Sequence, residues 1–140
     1  MTLPALNYLA VLVAGILIFM IGGLWYSPVL FAKPWMAQSG KTEAEFKASA
    51  ASMNMAAAYG AVFLCGLVTA FVLAIVVNQF GCTTMAGGAT VGAMSWLGFA
   101  ATTSFGTSLF SLQPTRLWII NTSYNLVAFV VAGVLLALWR

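Results

Sequence analysis

The sequence predicts an all-α membrane protein: a four-transmembrane-helix bundle with a cytoplasmic amphipathic connection between helices 1 and 2. Two observations carry that expectation. Of 140 residues, 63% are hydrophobic and only five basic and two acidic side chains occur, whereas soluble domains are about a quarter charged. The charges are also segregated, leaving residues 1–32, 48–115 and 117–139 free of them. A helix needs about 20 apolar residues to cross the hydrocarbon core, so these stretches divide into four spans within one domain, residues 1–140.

Helix 1 is expected near residues 6–27, where eleven Leu, Ile, Val or Phe residues lie between Leu6 and Leu24. At about −0.4 kcal/mol each they favour insertion by roughly 4 kcal/mol. The segment lacks a basic leader and exceeds the apolar length of a cleaved signal, so it is expected to be retained. Pro28 and Pro34 then end the helix and keep residues 29–35 from continuing it. The apolar Val29-Leu30-Phe31 and Trp35-Met36 suit the membrane interface. Thr42-Glu43-Ala44-Glu45 has the pattern of a capping box. Because no proline follows until after Asn78, helix 2, which crosses near residues 53–78, is expected to form one rod of about 36 residues, about 54 Å long. Helices 3 and 4 are expected near 86–110 and 116–138.

Lys33, Lys41, Lys47 and Arg116 fall on one side of this arrangement, with Arg140 and the terminal amine on the other. The positive-inside rule makes the long connection cytoplasmic and both termini external. Trp25, Tyr26, Trp118 and Trp139 fall near span ends, where amphipathic rings prefer the headgroup level.

Lipid offers no hydrophobic drive for helix association, so small residues must permit close approach. They recur as Ala57, Ala61, Cys65 and Thr69 in helix 2. In helix 3, Gly88 and Gly92 begin a stripe running through Ser95, Phe99, Thr102 and Gly106. Helix 4 has Tyr124, Ala128 and Ala132. These stripes suit packing within the bundle, or an oligomer interface. Cys65 reads as one such packing residue. It lies about 20 Å along the helix from the turn holding Cys82, too far for a disulfide.

Neutral polar residues gather in the cytoplasmic half: Ser27, Asn54, Tyr59, Thr103, Ser104, Thr107, Ser108, Asn121, Tyr124 and Asn125. The other half holds mainly Asn7, Thr84 and Thr90. An unpaired amide in hydrocarbon costs several kcal/mol, so Asn121 and Asn125 need partners. Two arrangements answer: hydrogen bonds to the Thr and Ser of helix 3, or a polar cavity open to the cytoplasm that admits a small ligand.

Absences narrow the chemistry further. With no histidine and no aspartate, the chain has no Ser-His-Asp triad and no HExxH zinc site. Glu43 and Glu45 are the only acidic side chains, and capping accounts for Glu45. No catalytic, cofactor-binding or metal-ligating residue is expected, so the protein is not expected to be an enzyme. Three lysines over fifteen residues form no nucleic-acid stripe. A proton-coupled carrier needs an ionisable group inside the bundle, and the spans offer none.

The block Gly23-Leu24-Trp25-Tyr26-Ser27-Pro28-Val29-Leu30-Phe31, the following Pro34-Trp35-Met36, Trp96-Leu97-Gly98-Phe99 with Thr102-Thr103, and Asn121-x-x-Tyr124-x-Leu126 resemble the bacterial membrane family catalogued as domain of unknown function 1761. Trp25, Tyr26, Ser27 and Pro28 are the most specific part. The resemblance implies a small four-helix protein of the bacterial cytoplasmic (inner) membrane and no particular activity. Some relatives carry a histidine where this chain has Asn125, so a role for that imidazole does not transfer. Two main expectations remain for function, beside a sensor or lipid-binding role. One is an interaction or accessory subunit that self-associates or joins a larger membrane complex. The other is a small uncoupled transporter or channel, formed by oligomerisation and lined by the hydroxyls and amides.

Overall fold

Asn7 starts the first helix by accepting the amides of Leu9 and Ala10 on its side-chain oxygen, both at 3.1 Å, which satisfies two of the orphan donors at a helix start. The computed structural model describes residues 4–140 and is all-helical; the terminal amine lies outside the described residues. Helix α1 is Tyr8–Trp25, α2 Ala32–Ser39, α3 Glu43–Ser52 and α4 Met55–Gln79. Helix α5 is Met85–Ser95, followed by a π-helical segment, Trp96–Ala101, then α6, Thr102–Phe110, and α7, Thr115–Leu138. Three of these, α1, α4 and α7, are long and apolar enough to cross a membrane. The fourth expected span, near 86–110, is helical throughout but divided by the π segment.

Helix α7 is central, packing against α5, α1, α4 and the short α2. The closest approach is between α5 and α7. A Cβ added at Gly92 would meet the Phe129 carbonyl and lie 3.0 Å from the Val130 Cα, and one at Gly88 would strike the Gly133 carbonyl and lie 2.8 Å from the Ala137 Cβ. Backbones this close gain dispersion contacts and leave no room for a side chain. The buried centre is correspondingly small-residued: Ala10, Ala14, Ala70, Ala74, Ala128 and Ala132, with Leu73 and Val77 filling between them.

The stripes differ from the sequence expectation in two places. On α4, Ala57, Ala61 and Cys65 are exposed and Thr69 is half-buried, while Gly66, Ala70, Ala74 and Val77 form the buried face. Cys65 is therefore an outward residue rather than an internal packing one, and both cysteines are free. Periodicity alone could not choose, because small residues occupy both faces. On the third rod the glycine stripe stops at Gly92: Phe99 is 76% exposed and Thr102 points outward. The π turn inserts an extra residue, which rotates everything after it by about 100°. Ala101 and Ser108 become the buried positions instead. Hydroxyls add bonds to carbonyls of the π segment, Thr102 donating to Gly98 at 2.9 Å and Thr103 to Phe99, as Ser and Thr do where a helix ladder is irregular.

Helix 2 is likewise not one rod. It breaks at Met53 and Asn54, because the Asn54 side chain accepts the Ala57 amide at 3.1 Å and starts α4 anew. Asparagine is a strong helix starter, and in this position it outweighs the absence of proline. Residues 29–35 do not continue α1: 29–31 form turns, and Pro34 sits in the first turn of the separate helix α2, where its missing N–H costs nothing. Gly40 ends α2 with φ 73°, a left-handed conformation that glycine tolerates.

The capping box at α3 is present. The Glu45 amide donates to the Thr42 hydroxyl at 3.2 Å, and the Thr42 amide donates to the Glu45 carboxylate at 2.7 Å. The Thr42 backbone bond first, then its hydroxyl, hold the Glu45 carboxyl below its ordinary value of 4.5. A lowered folded value means the contribution is complete above 4.5 and is lost as pH falls through the lower value. The Thr42 amide resonance in detergent-solubilised protein is therefore expected to stay put above that range and move toward a frayed position below it. A shift in step with an unperturbed glutamate would contradict the box.

At the other end of the molecule the Asn7 amide donates to the Arg140 carbonyl at 3.4 Å, the Asn78 amide donates to the Ala5 carbonyl at 3.2 Å, and the Arg140 guanidinium donates to the Asn78 carbonyl at 3.3 Å. The start of α1, the end of α4 and the end of α7 are thus joined in one clasp. Lys33, Lys41, Lys47 and Arg116 belong to elements at the opposite end.

Candidate functional site

At that opposite end, three consecutive residues of α7 receive tryptophan N–H groups from three different elements. Trp25 at the end of α1 donates to the Ile120 carbonyl at 3.0 Å. Trp35 of α2 donates to the Asn121 side-chain oxygen at 3.1 Å. Trp96 of the π segment donates to the Thr122 carbonyl at 2.9 Å and its hydroxyl at 3.2 Å. A fourth indole, Trp118, reaches back to the Ser104 hydroxyl at 3.0 Å. An indole has one donor and no acceptor, so each ring is held by one directed N–H, which Trp96 shares between two Thr122 oxygens, with its apolar body packed around it.

The Trp-Tyr-Ser-Pro block makes this possible by turning the chain sharply after α1. The Ser27 hydroxyl donates to the Leu24 carbonyl at 2.7 Å, and the Phe31 amide to the Trp25 carbonyl at 3.0 Å. The turn lays Phe31 on Trp25, with centroids 4.7 Å apart, and sets the Trp35 ring edge-on to Tyr26 at 6.0 Å. Tyr26 then donates to the Asn121 oxygen at 2.8 Å, and Tyr124 of α7 donates to the Ile18 carbonyl at 3.1 Å.

Asn121 thus meets different partners from those its position suggested. Its bonds go to Tyr26 and Trp35, not to the hydroxyls of the third rod. Those hydroxyls mostly serve their own helix: Thr103 donates to Phe99, Ser104 to Ala101 at 3.2 Å and Thr107 to Thr103 at 3.2 Å. Three other expected members of the cluster lie apart from it. Asn54 caps α4, Ser27 closes the corner, and Tyr59 is 56% exposed beside Phe19. Thr103, Ser104, Thr107, Ser108, Asn121 and Asn125 do come together, lining a polar groove of about 370 Å³.

Two donors on one side-chain oxygen also fix which way the Asn121 amide faces, since the reversed amide would set its own N–H groups against two others. Its NH₂ has no acceptor among the described residues. Asn121 sits on the wall of both the polar groove and a second, larger open cleft of about 690 Å³, bordered by Tyr26, Trp35 and Met36 on one side and Glu43, Phe46, Lys47 and Ala50 of α3 on another. The remaining amide, Asn125, makes no side-chain hydrogen bond among the described residues and also borders a smaller cleft beside Cys65, Gly66 and Thr69. Among those residues no cluster of three metal-ligating side chains occurs.

A family model described as Protein of unknown function (DUF1761) matches residues 9–137. The chain belongs to that family. The match takes in Trp25, Trp35, Trp96 and Trp118, the groove and both clefts, and every polar residue named above except Asn7 and Arg140. No curated protein and no solved structure matches the chain. In this DUF1761 member the site residues that sequence reasoning passed over are the acceptors Ile120 and Thr122 and the donors Trp35 and Trp96. A usable signal was present: four of the five tryptophans fall in the half of the molecule that holds the neutral polar residues, and each indole there needed an acceptor.

Proposed function

We propose that the protein is a four-span helix bundle of the bacterial inner membrane that acts as an interaction subunit, self-associating or joining a larger membrane complex. The α5–π–α6 rod supplies the fourth span: its 26 residues from Met85 to Phe110 cover about 39 Å, running antiparallel to α7 from the Gly88–Gly133 contact to the Ser104–Trp118 bond. With an even number of spans, the clasped termini lie outside and α2 and α3 lie on the cytoplasmic face with the lysines.

The observation that carries the subunit reading is the outer face of α4. Ala57, Ala61 and Cys65 are exposed there, beside the cleft that holds the unpaired Asn125 amide. A second helix could approach closely along these small residues and offer the acceptor that Asn125 lacks, about 15 Å into α7. Oxidation in native membranes is expected to join two chains through Cys65, and native mass spectrometry from mild detergent should show a dimer or a stoichiometric partner. Asn125→Leu should abolish that assembly while leaving a folded protomer. Monomers alone, with no crosslink, would rule the reading out.

The polar groove favours a second reading, an uncoupled conduit built between protomers. Its hydroxyls and amides present neutral acceptors and donors without a charge. Reconstituted vesicles that release no small neutral solute would remove it.

A further inference from the structure

We propose that the cleft between α2, α3 and the start of α7 holds one anionic glycerophospholipid, an ester oxygen of which accepts from the Asn121 amide. The cleft's size, about 690 Å³, is in the range of sites for small ligands. Its walls are apolar rings and methyls from Tyr26, Trp35, Met36, Phe46 and Ala50, a surface for part of an acyl chain. Its polar lining is the exposed Glu43–Lys47 pair and, on α7, the Asn121 amide, whose oxygen is already occupied twice, by Tyr26 and Trp35. What it offers a ligand is therefore an N–H donor, so the ligand must bring an acceptor.

The level matches a lipid's ester region. Asn121 lies about 7.5 Å along α7 from Arg116, inward from the end that carries the lysines. Charge selects the head. Lys47 lines the mouth, 3.1 Å from Glu43 in a pair exposed on both sides, and such pairs are weak enough to exchange partners. Lys41 stands 5.8 Å above the Phe46 ring, which forms part of the wall. With Lys33 and Arg116 these make four cations against Glu43 and Glu45, a balance that draws phosphate at a cytoplasmic surface. Helix α3 has no buried residue and touches the rest of the site chiefly through Phe46 on Trp35, with centroids 5.2 Å apart, so a lipid filling the cleft gives α3 the packing it lacks.

The inference uses the membrane placement proposed above but not self-association. Purified full-length protein would be placed in nanodiscs containing equal phosphatidylglycerol and phosphatidylcholine, then released for native mass spectrometry, with oligomeric state read from the same spectra. One phosphatidylglycerol per protomer is expected to be retained, preferred about tenfold over phosphatidylcholine. Ala50→Trp fills the cleft from an exposed position and should remove the retained lipid without changing oligomeric state or helix content. Lys47→Glu should erase most of the headgroup preference. Equal retention of both lipids, no retained lipid, or retention unchanged in Ala50→Trp would each overturn the proposal. So would a loss of oligomers in Ala50→Trp, which would make the cleft a seat for a second copy.

Discussion

Gly92→Leu is expected to leave no folded protein in detergent, and even Gly92→Ala should lower stability by about 1–3 kcal/mol, the range for overfilling a packed interior. The reason is what the new atom would meet. At Gly15 an added Cβ runs into the Leu67 side chain, whose end can swing away, but at Gly92 all three nearest atoms belong to the backbone of Phe129 and Val130. Helices α5 and α7 would have to separate, and α7 carries most other contacts in the molecule. Gly60→Ala is the control. Nothing lies within 4 Å of a Cβ there, so relief of glycine's helix penalty should raise stability by about 0.5–1 kcal/mol. Denaturant titration of the three proteins in one detergent checks this, and equal midpoints for Gly92→Ala and Gly60→Ala would refute the packing account.

Asn121→Leu is the second large effect. It removes the acceptor shared by the Tyr26 hydroxyl and the Trp35 indole, leaving two half-buried donors without partners, at a cost of about 2–4 kcal/mol in all. The loss should be local before it is global. Helix α2 is tied to α7 through Trp35, so its release should free the backbone around the already exposed Lys41 and Lys47 and let trypsin cut there much sooner than in the wild type, while the clasped end stays resistant. Asn121→Asp keeps an oxygen for both donors and should restore slow cleavage. Equal cleavage rates in the wild type and the leucine variant would show that the bond does not hold α2 in place.

The sequence made some of this legible and not the rest, for reasons that differ by element. Charge-free length reveals α1, α4 and α7 because insertion depends on summed apolarity rather than on detail. The Thr42 and Glu45 box is readable because its bonds are local. Gly88 and Gly92 were recognisable as a close-approach pair, but their stripe could not be followed past Trp96, since a π turn leaves no mark in the hydrophobic pattern. The outward face of α4 was mistaken for its inward one because Ala57, Ala61 and Cys65 are no larger than Gly66, Ala70 and Ala74. At the site, the need of Asn121 for a partner followed from its depth. The identity of that partner did not, because Tyr26 and Trp35 lie more than eighty residues away in the chain and reach it only once the Ser27 corner has formed.

The position of α7 has a temporal meaning. It is synthesised after α1 to α6, yet it supplies the acceptors for Trp25, Trp35 and Trp96 and the backbone against which Gly92 rests. During translation α1 and α4 can meet through Gly15 and Gly66, but the indoles must rest on water or lipid headgroups until α7 arrives. A nascent chain stalled before Thr115 would hold inserted yet unlocked helices. The α1–α4 contact can form early, whereas the indole bonds and the α5–α7 contact all wait for α7.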